Sequence, residues 1–332
     1  MHRQVGLLGV TVVAVVILLL GGTVLLGSVV RPAGPPAGSA SGSAVASAGS
    51  PSAGRRSPAP SQAQPTGPDP ILVGAGDIAA CGSPDTARTA ALVAAIAGTV
   101  FTAGDNAYEN GSEAAFVQCY DPTWGPFRDR TRPALGERDV IASSSAAPYF
   151  AYFGPTAGSA PGGWYSYDLG SWHVVVLDSN CPGTGGCAGD GVQGRWLAAD
   201  LAASHASCTV AIWHHPRFSS GQHGDDPRTA PFWTILAAHG SELVINAHDR
   251  DYERFPPQDP NGRRDDAGGI VEIVAGTGGA GLDAFGPGTP TSVTRASVSA
   301  GVVVLTLHRS GWDERFVSVD GSFIDRSTGS CH

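Results

Sequence analysis

The chain contains no lysine; all 20 basic residues among its 332 are arginine. G+C-rich coding accounts for the bias, but the absence still excludes a lysine Schiff base and a lysine-bearing phosphate loop, which both need the amine. No two cysteines are spaced CxxC, which argues against a zinc–thiolate site. No GxSxG elbow occurs in the part expected to fold, which argues against a serine hydrolase. Positive charge is scarce as well. From residue 71 onward 16 Arg face 28 Asp plus Glu, a net of −12 with His neutral. So acidic a domain lacks the footprint of a nucleic-acid binder, and no nucleic-acid partner is expected.

Large apolar residues are nearly missing from 31–70, which is almost all Pro, Ala, Gly and Ser. Such a stretch cannot bury enough surface to offset the entropy of ordering, and it reads as a disordered linker. Before it, and after a short segment 1–4, residues 5–30 carry no charge and form one apolar run behind His2 and Arg3. About 20 apolar residues span a bilayer, whereas a signal-peptide core has roughly 7–15. The run is read as a transmembrane anchor that leaves residues 71–332 on the extracytoplasmic side. The alternative is a cleaved signal, with a small-residue site such as Ala44-Val45-Ala46 and a secreted product.

Six cysteines follow the run: Cys81, Cys119, Cys181, Cys187, Cys208 and Cys331. An even number in an oxidising compartment suggests up to three disulfides, with the pairing left open by sequence alone. Cys181 and Cys187 flank a Gly-rich loop and make the most plausible local bridge.

What the chain does have is a set of five polar clusters, each closing an apolar run. They are Gly76-Asp77, Gly104-Asp105-Asn106-Ala107-Tyr108, Gly136-Glu137-Arg138-Asp139, Trp213-His214-His215-Pro216 and Ala247-His248-Asp249-Arg250. Oxygen and nitrogen donors converging from separate strand ends suit hard or borderline metal ions. Around them, hydrophobic patterning predicts helices over 85–96, 112–119, 193–203 and 231–239. Strands are predicted over 71–77, 99–104, 132–135, 209–213, 243–246, 270–274, 302–307 and 314–319, with a hairpin over 164–169 and 173–178. Mixed βα units followed by strands point to a layered α/β (α+β) domain over 71–332.

Two stretches mimic other sites. Gly74-Ala75-Gly76-Asp77-Ile78-Ala79 fits a GxGxxA dinucleotide fingerprint, but Cys81-Gly82-Ser83-Pro84 separates it from the helix that should cradle a pyrophosphate. The Gly-rich stretch 276–288 has neither a lysine nor a helix start, and reads as a structural loop.

Taken in order, the clusters resemble a calcineurin-like metallophosphoesterase of the secreted, purple acid phosphatase-like branch. The resemblance runs from about residue 71 to the C-terminus. It rests on Gly76-Asp77-Ile78-Ala79, Gly104-Asp105-Asn106, Trp213-His214-His215-Pro216-Arg217-Phe218-Ser219-Ser220-Gly221 and His248-Asp249-Arg250-Asp251-Tyr252-Glu253-Arg254-Phe255. It implies a four-layer αββα sandwich and one or two Fe, Zn or Mn ions per chain. Asp77 is then a ligand of the first ion, and Asp105 bridges both. Tyr108 stands where the branch places a tyrosinate, and His214 and His248 bind the second ion. His223 matches a position that contacts substrate phosphate. Strand alternation sends adjacent side chains to opposite faces. Hence His214 is taken as the ligand and His215 as a supporting or substrate contact.

Three positions depart from the family. Glu137 replaces a neutral amide ligand with a carboxylate. Arg138 replaces a histidine; it can stabilise phosphoryl charge but does not readily shuttle a proton. Arg250 replaces a ligand histidine, and a guanidinium has no lone pair to give. It is expected to weaken the first ion's site, or to pair with Asp77 or Asp105. The resemblance therefore implies a metal-dependent phosphoesterase with an altered centre, or a silent member that binds a phosphorylated ligand or a surface partner.

Overall fold

The structure is a computed structural model that describes residues 67–182, 186–287 and 291–332. The apolar run 5–30, the cleavage site at 44–46 and the linker up to 66 lie outside the described residues. Among the described residues no helix is long and apolar enough to cross a membrane.

Among the described residues, thirteen strands build two sheets. The first contains β1 (Ile71–Ala75), β2 (Thr99–Ala103), β3 (Thr131–Ala134), β11 (Gly301–His308), β12 (Gly311–Ser318) and β13 (Ile324–Ser330), in the order β13-β12-β11-β1-β2-β3. The second contains β4 (Tyr165–Leu169), β5 (Trp172–Val176), β6 (Cys208–Ile212), β7 (Leu243–Asn246), β8 (Tyr252–Arg254), β9 (Val271–Ala275) and β10 (Thr294–Ala296), in the order β10-β8-β9-β7-β6-β5-β4. β1, β2 and β3 run parallel, as do β5, β6, β7 and β9. The helices are α1 (Pro84–Ala94), α2 (Glu113–Ala115, continuing as a π turn Phe116–Tyr120), α3 (Ala147–Phe153), α4 (Val192–Ala203) and α5 (Ala230–Ala238).

Side-chain alternation explains why four layers form. Leu72 of β1 and Phe101 of β2 point inward to meet Val174, Val210 and Ile245 of the second sheet. Their neighbours Val73 and Val100 point the other way, onto Val93 of α1 and the aromatics Phe116 and Tyr149. In the second sheet Ala211 and Val244 face outward onto Leu197 of α4 and Phe232 and Trp233 of α5. Strands buried on both faces read as continuous apolar runs, as parallel strands do. The result is the expected αββα sandwich.

All six cysteines pair, as Cys81–Cys119, Cys181–Cys187 and Cys208–Cys331. The local 181–187 bridge agrees with the sequence reading. Cys208–Cys331 ties the C-terminus to the start of β6 across 123 positions.

Candidate metal centre

Every polar cluster falls just past the C-terminal end of a parallel strand, and both sheets deliver theirs to the same place. Asp77, Asp105 and Glu137 follow β1, β2 and β3; His214 and His248 follow β6 and β7. Loops beyond carboxyl strand ends are where open α/β sheets bind ligands. Asp77, Asp105 and His248 adopt left-handed backbone, with φ of 55°, 50° and 69°. Non-glycine residues take that conformation at a cost and tend to do so at functional sites. Two glycines make room for the ligands. A Cβ on Gly104 would meet the His214 ring at 2.6 Å, and one on Gly136 would meet Asp105 Oδ1 at 2.2 Å.

The strongest convergence is on Glu137. Its Oε2 lies 2.6 Å from His214 Nε2, 3.2 Å from His248 Nδ1 and 3.6 Å from His215 Nε2. His214 Nδ1 donates to the Ala103 carbonyl at 2.8 Å, which turns Nε2 toward the site. That buried Nε2 has no properly aligned hydrogen-bond partner despite the nearby carboxylate. An orphaned buried nitrogen beside a carboxylate oxygen, without hydrogen-bond alignment, fits a pair that turns toward a shared cation. Glu137, His214 and His248 offer one such three-ligand set; Asp77, Asp105 and His214 offer a second. Both sets draw on His214, and with Nδ1 engaged only Nε2 remains to serve either.

Electrostatics point the same way. Burial pulls the His214 imidazole down, but Asp105, Glu137 and Asp77 outweigh it and the net shift is well upward. Burial raises Glu137, yet His214 and His248 reverse that and hold it far below the usual carboxylate range. Burial dominates at Asp77 and Asp105 and raises both. Thus the neighbouring carboxylates hold positive charge on the His214 imidazole, and a bound ion would take over that role.

The Asp77–Asp105 half is already cross-linked. Tyr108 presents its hydroxyl 2.5 Å from Asp77 Oδ1 and 2.9 Å from Asp105 Oδ2. Burial and the two carboxylates push its ionisation far above the ordinary phenol range. Asp77 Oδ2 also accepts from the His248 backbone N–H at 2.9 Å.

Arg250 does not pair with Asp77 or Asp105 as expected. It makes a two-pronged contact with Asp283, at 2.6 and 2.8 Å, and a third to the Ala280 carbonyl at 3.3 Å. The reason is the Gly-rich stretch after β9, which brings a matching carboxylate within reach. Arg138 donates its backbone N–H to Asp105 Oδ1 at 2.8 Å. Its side-chain Nε stands 3.8 Å from both Asp105 Oδ2 and Glu137 Oε1 and makes no hydrogen bond.

The alternation argument for His215 fails, because β6 ends at Ile212 and the bend that follows turns both histidines inward. Their rings meet edge to face at 5.1 Å. His215 Nδ1 contacts Ser179 Oγ at 2.7 Å. Burial, with His214 and His248 adding to it, lowers its pKa to about 2, so it is a neutral ring. His223 stacks on His248 at 4.4 Å while its Nδ1 contacts Asp249 Oδ1 at 2.8 Å, and its side chain is 47% exposed.

Three supporting residues escaped the sequence reading. Asp139 is buried and accepts from the backbone N–H and side-chain amide of Asn106 and from Gly136 N–H, so it fixes two of the clusters to each other. Its place within the third cluster was the available signal. Ser179 and Asp283 had no such signal, since each lies in a segment read only as loop.

No protein-family model and no curated protein sequence matches the chain. Solved structures do. A purple acid phosphatase from yellow lupin (Lupinus luteus) seeds superposes with a TM-score of 0.70 at 19% identity, covering 79% of this chain and 53% of that one. This chain thus spans about half the length of the lupin protein. GAP50, the anchor in the inner membrane complex of Plasmodium, gives 0.60 at 16% identity, with 80% and 89% covered. A dimetal phosphatase from Danio rerio gives 0.52 at 12% identity, with 80% and 100% covered. With its two mixed sheets and strand-end donor cluster, the chain has the calcineurin-like metallophosphoesterase fold.

Proposed function

We propose that this protein is an extracytoplasmic, metal-dependent phosphoesterase that works with one ion rather than two. The observation that carries the reading is the Glu137–His214–His248 set at the strand ends, with a buried His214 nitrogen aimed into it. Glu137, His214 and His248 would hold the ion, with Asp105 beside them; His214 Nε2 and Asp105 Oδ1 are 3.5 Å apart. When bound, the ion supplies Lewis-acid activation of water and of phosphoryl oxygens.

The chain's own residues do the rest. Arg138 keeps its guanidinium beside Asp105 and Glu137 with Nε making no hydrogen bond, a placement suited to a phosphoryl oxygen. His223, oriented by Asp249, presents its half-exposed ring toward the same opening. Asp77 and Tyr108 hold Asp105 in place through the shared hydroxyl. Arg250, committed to Asp283, supplies fixed positive charge where a first ion's histidine ligand belongs. The three disulfides support an extracytoplasmic location, since such bridges persist in oxidising compartments. Anchoring by residues 5–30 remains part of this proposal on sequence grounds.

A second reading has its own observation in favour. With Arg250 tied to Asp283 and Tyr108 joining the first-site carboxylates, the fold could serve as a binding module without turnover. One structure of the same fold is described as an anchor. The deciding measurement is ions per chain in the purified protein, alongside hydrolysis of an aryl phosphate. One tightly held ion with turnover that His214→Ala abolishes supports the phosphoesterase. No ion and no turnover supports the binding module.

A further inference from the structure

Beside the candidate centre lies a cavity of about 320 Å³ whose lining includes Glu137 and His215. Part of that lining is apolar: Leu135 and Ala146 are buried and Val140 is half-buried. Part is polar, with Ser144, Asp178 and Arg228. Volumes of this order hold small organic groups.

Two features narrow what fits. Asp178 is 1% exposed, and its Oδ1 accepts from the backbone and side-chain amides of Asn180 at 2.8 and 2.9 Å. Its Oδ2 is buried and has no partner. An unmet buried acceptor favours a ligand that brings a donor, because leaving it unpaired carries a desolvation cost. Among the described residues that line the cavity Arg228 is the one arginine, and it is already neutralised by Asp226, with contacts at 2.5, 2.9 and 3.0 Å. Glu137 and Asp178, which both line the cavity, are acids. A second anionic group would therefore enter between carboxylates with no uncommitted cation to meet it.

We propose that this cavity receives the alcohol portion of a phosphomonoester. It selects uncharged, partly apolar alcohols that carry a hydrogen-bond donor over alcohols bearing a further anionic group. The inference rests on the phosphoesterase reading above and adds the class of ester to it.

The test uses the full chain loaded with Mn²⁺ and phosphonates that cannot be hydrolysed, with affinities read by calorimetry. The probes are inorganic phosphate, phenylphosphonate, 4-(hydroxymethyl)phenylphosphonate and 4-carboxyphenylphosphonate. Phenylphosphonate binds about tenfold tighter than phosphate, from burial of the ring. The hydroxymethyl compound binds about threefold tighter again, and the carboxylate returns to the affinity of phosphate or below. Ser144 is exposed at the rim. Ser144→Trp fills the cavity and removes the difference between phenylphosphonate and phosphate. Asp178→Asn keeps an oxygen for the Asn180 contacts and relieves the penalty on the carboxylated probe. Phosphate that binds with no preference among the organic probes, or a carboxylated probe that binds tightest, overturns the cavity assignment alone. Failure of phosphate itself to bind the loaded chain overturns the phosphoesterase reading, and the cavity assignment falls with it.

Discussion

Replacing Arg250 with histidine separates a one-ion centre from a two-ion centre that has merely been rearranged. In the native chain Arg250 and Asp283 share two charge-assisted hydrogen bonds at 2.6 and 2.8 Å, with a third of the arginine side chain exposed. Such bonds contribute more than neutral ones, but partial solvation discounts the pair to about 1–2 kcal/mol. For a folded part of this size that corresponds to a metal-free melting temperature lower by about 2–4 °C in Arg250→His. The new imidazole stands among Asp77, Asp105 and Tyr108 and restores a nitrogen donor to that half. With divalent metal at about 100 times its dissociation constant, a newly gained ion adds about 2.7 kcal/mol, enough to offset the loss. Calorimetric melting with and without Mn²⁺, together with ions per chain, reads both effects. The expected pattern is one ion in wild type and two in the variant, with a larger metal-induced rise in the variant. Two ions in wild type, or one ion in both with equal rises, refutes the reasoning.

Activity should follow the same logic: Arg250→His, Arg138→His and Glu137→Asn together should raise aryl-phosphate turnover by more than the sum of the three singles, since groups acting as a unit are not additive. Asp251 is fully buried with neither carboxylate oxygen partnered, and burial followed by Asp249 and Glu253 raises its pKa to about 8. A folded pKa above the unfolded one gives stability that is present at low pH and lost as pH rises toward 8; melting temperature should fall from pH 5 to 8.5, and Asp251→Asn should flatten that slope and gain about 1–3 kcal/mol at pH 8. Reduction should lower the melting point, with the double variant Cys208→Ser/Cys331→Ser losing about 2 kcal/mol more than Cys181→Ser/Cys187→Ser, because its loop spans 123 positions against 6. The intact chain should stay with membranes through high-salt washing, as hydrophobic insertion is not screened; recovery of all of it in the medium with an N-terminus beyond residue 30 would defeat the anchor.

The strands that carry ligands were legible because each is an apolar run that stops abruptly at a polar cluster. β1, β2, β6 and β7 all fall within two residues of the expected bounds, the largest difference being at the polar end of β1, which closes at Ala75 before the cluster begins. What escaped was structure whose reason lies elsewhere in the chain. β8 (Tyr252–Arg254) follows the fifth cluster so closely that its three residues show no period; it forms because β9 pairs with it on one side and β10 on the other. β13 alternates half-buried and exposed residues, Asp325, Ser327 and Gly329 among the former, and Ile324 is its one large apolar residue. It pairs along its whole length with β12, and that register rather than its own hydrophobicity defines it. α3 was hidden by its aromatic composition, Tyr149, Phe150, Tyr152 and Phe153, which suits a strand as well as a helix.

The site shows the same division, at the scale of single atoms. Residue identity placed Asp77, Asp105, Glu137, His214 and His248 together, because each is a donor at a strand end. It could not say which ring nitrogen of His214 faces the site; that depends on the Ala103 carbonyl, 111 positions away. Nor could it say where Arg250 points. From sequence the nearest acids in the expected centre were Asp77 and Asp105, yet Asp283 wins because it offers two oxygens to one fork and neither is bound to Tyr108. The consequence is chemical. An arginine paired with Asp77 or Asp105 would have disabled the bridging carboxylate as well as the first ligand position. Paired with Asp283, it leaves Asp105 hydrogen-bonded to Tyr108 and the Arg138 backbone N–H, and so leaves one complete nitrogen–oxygen set intact.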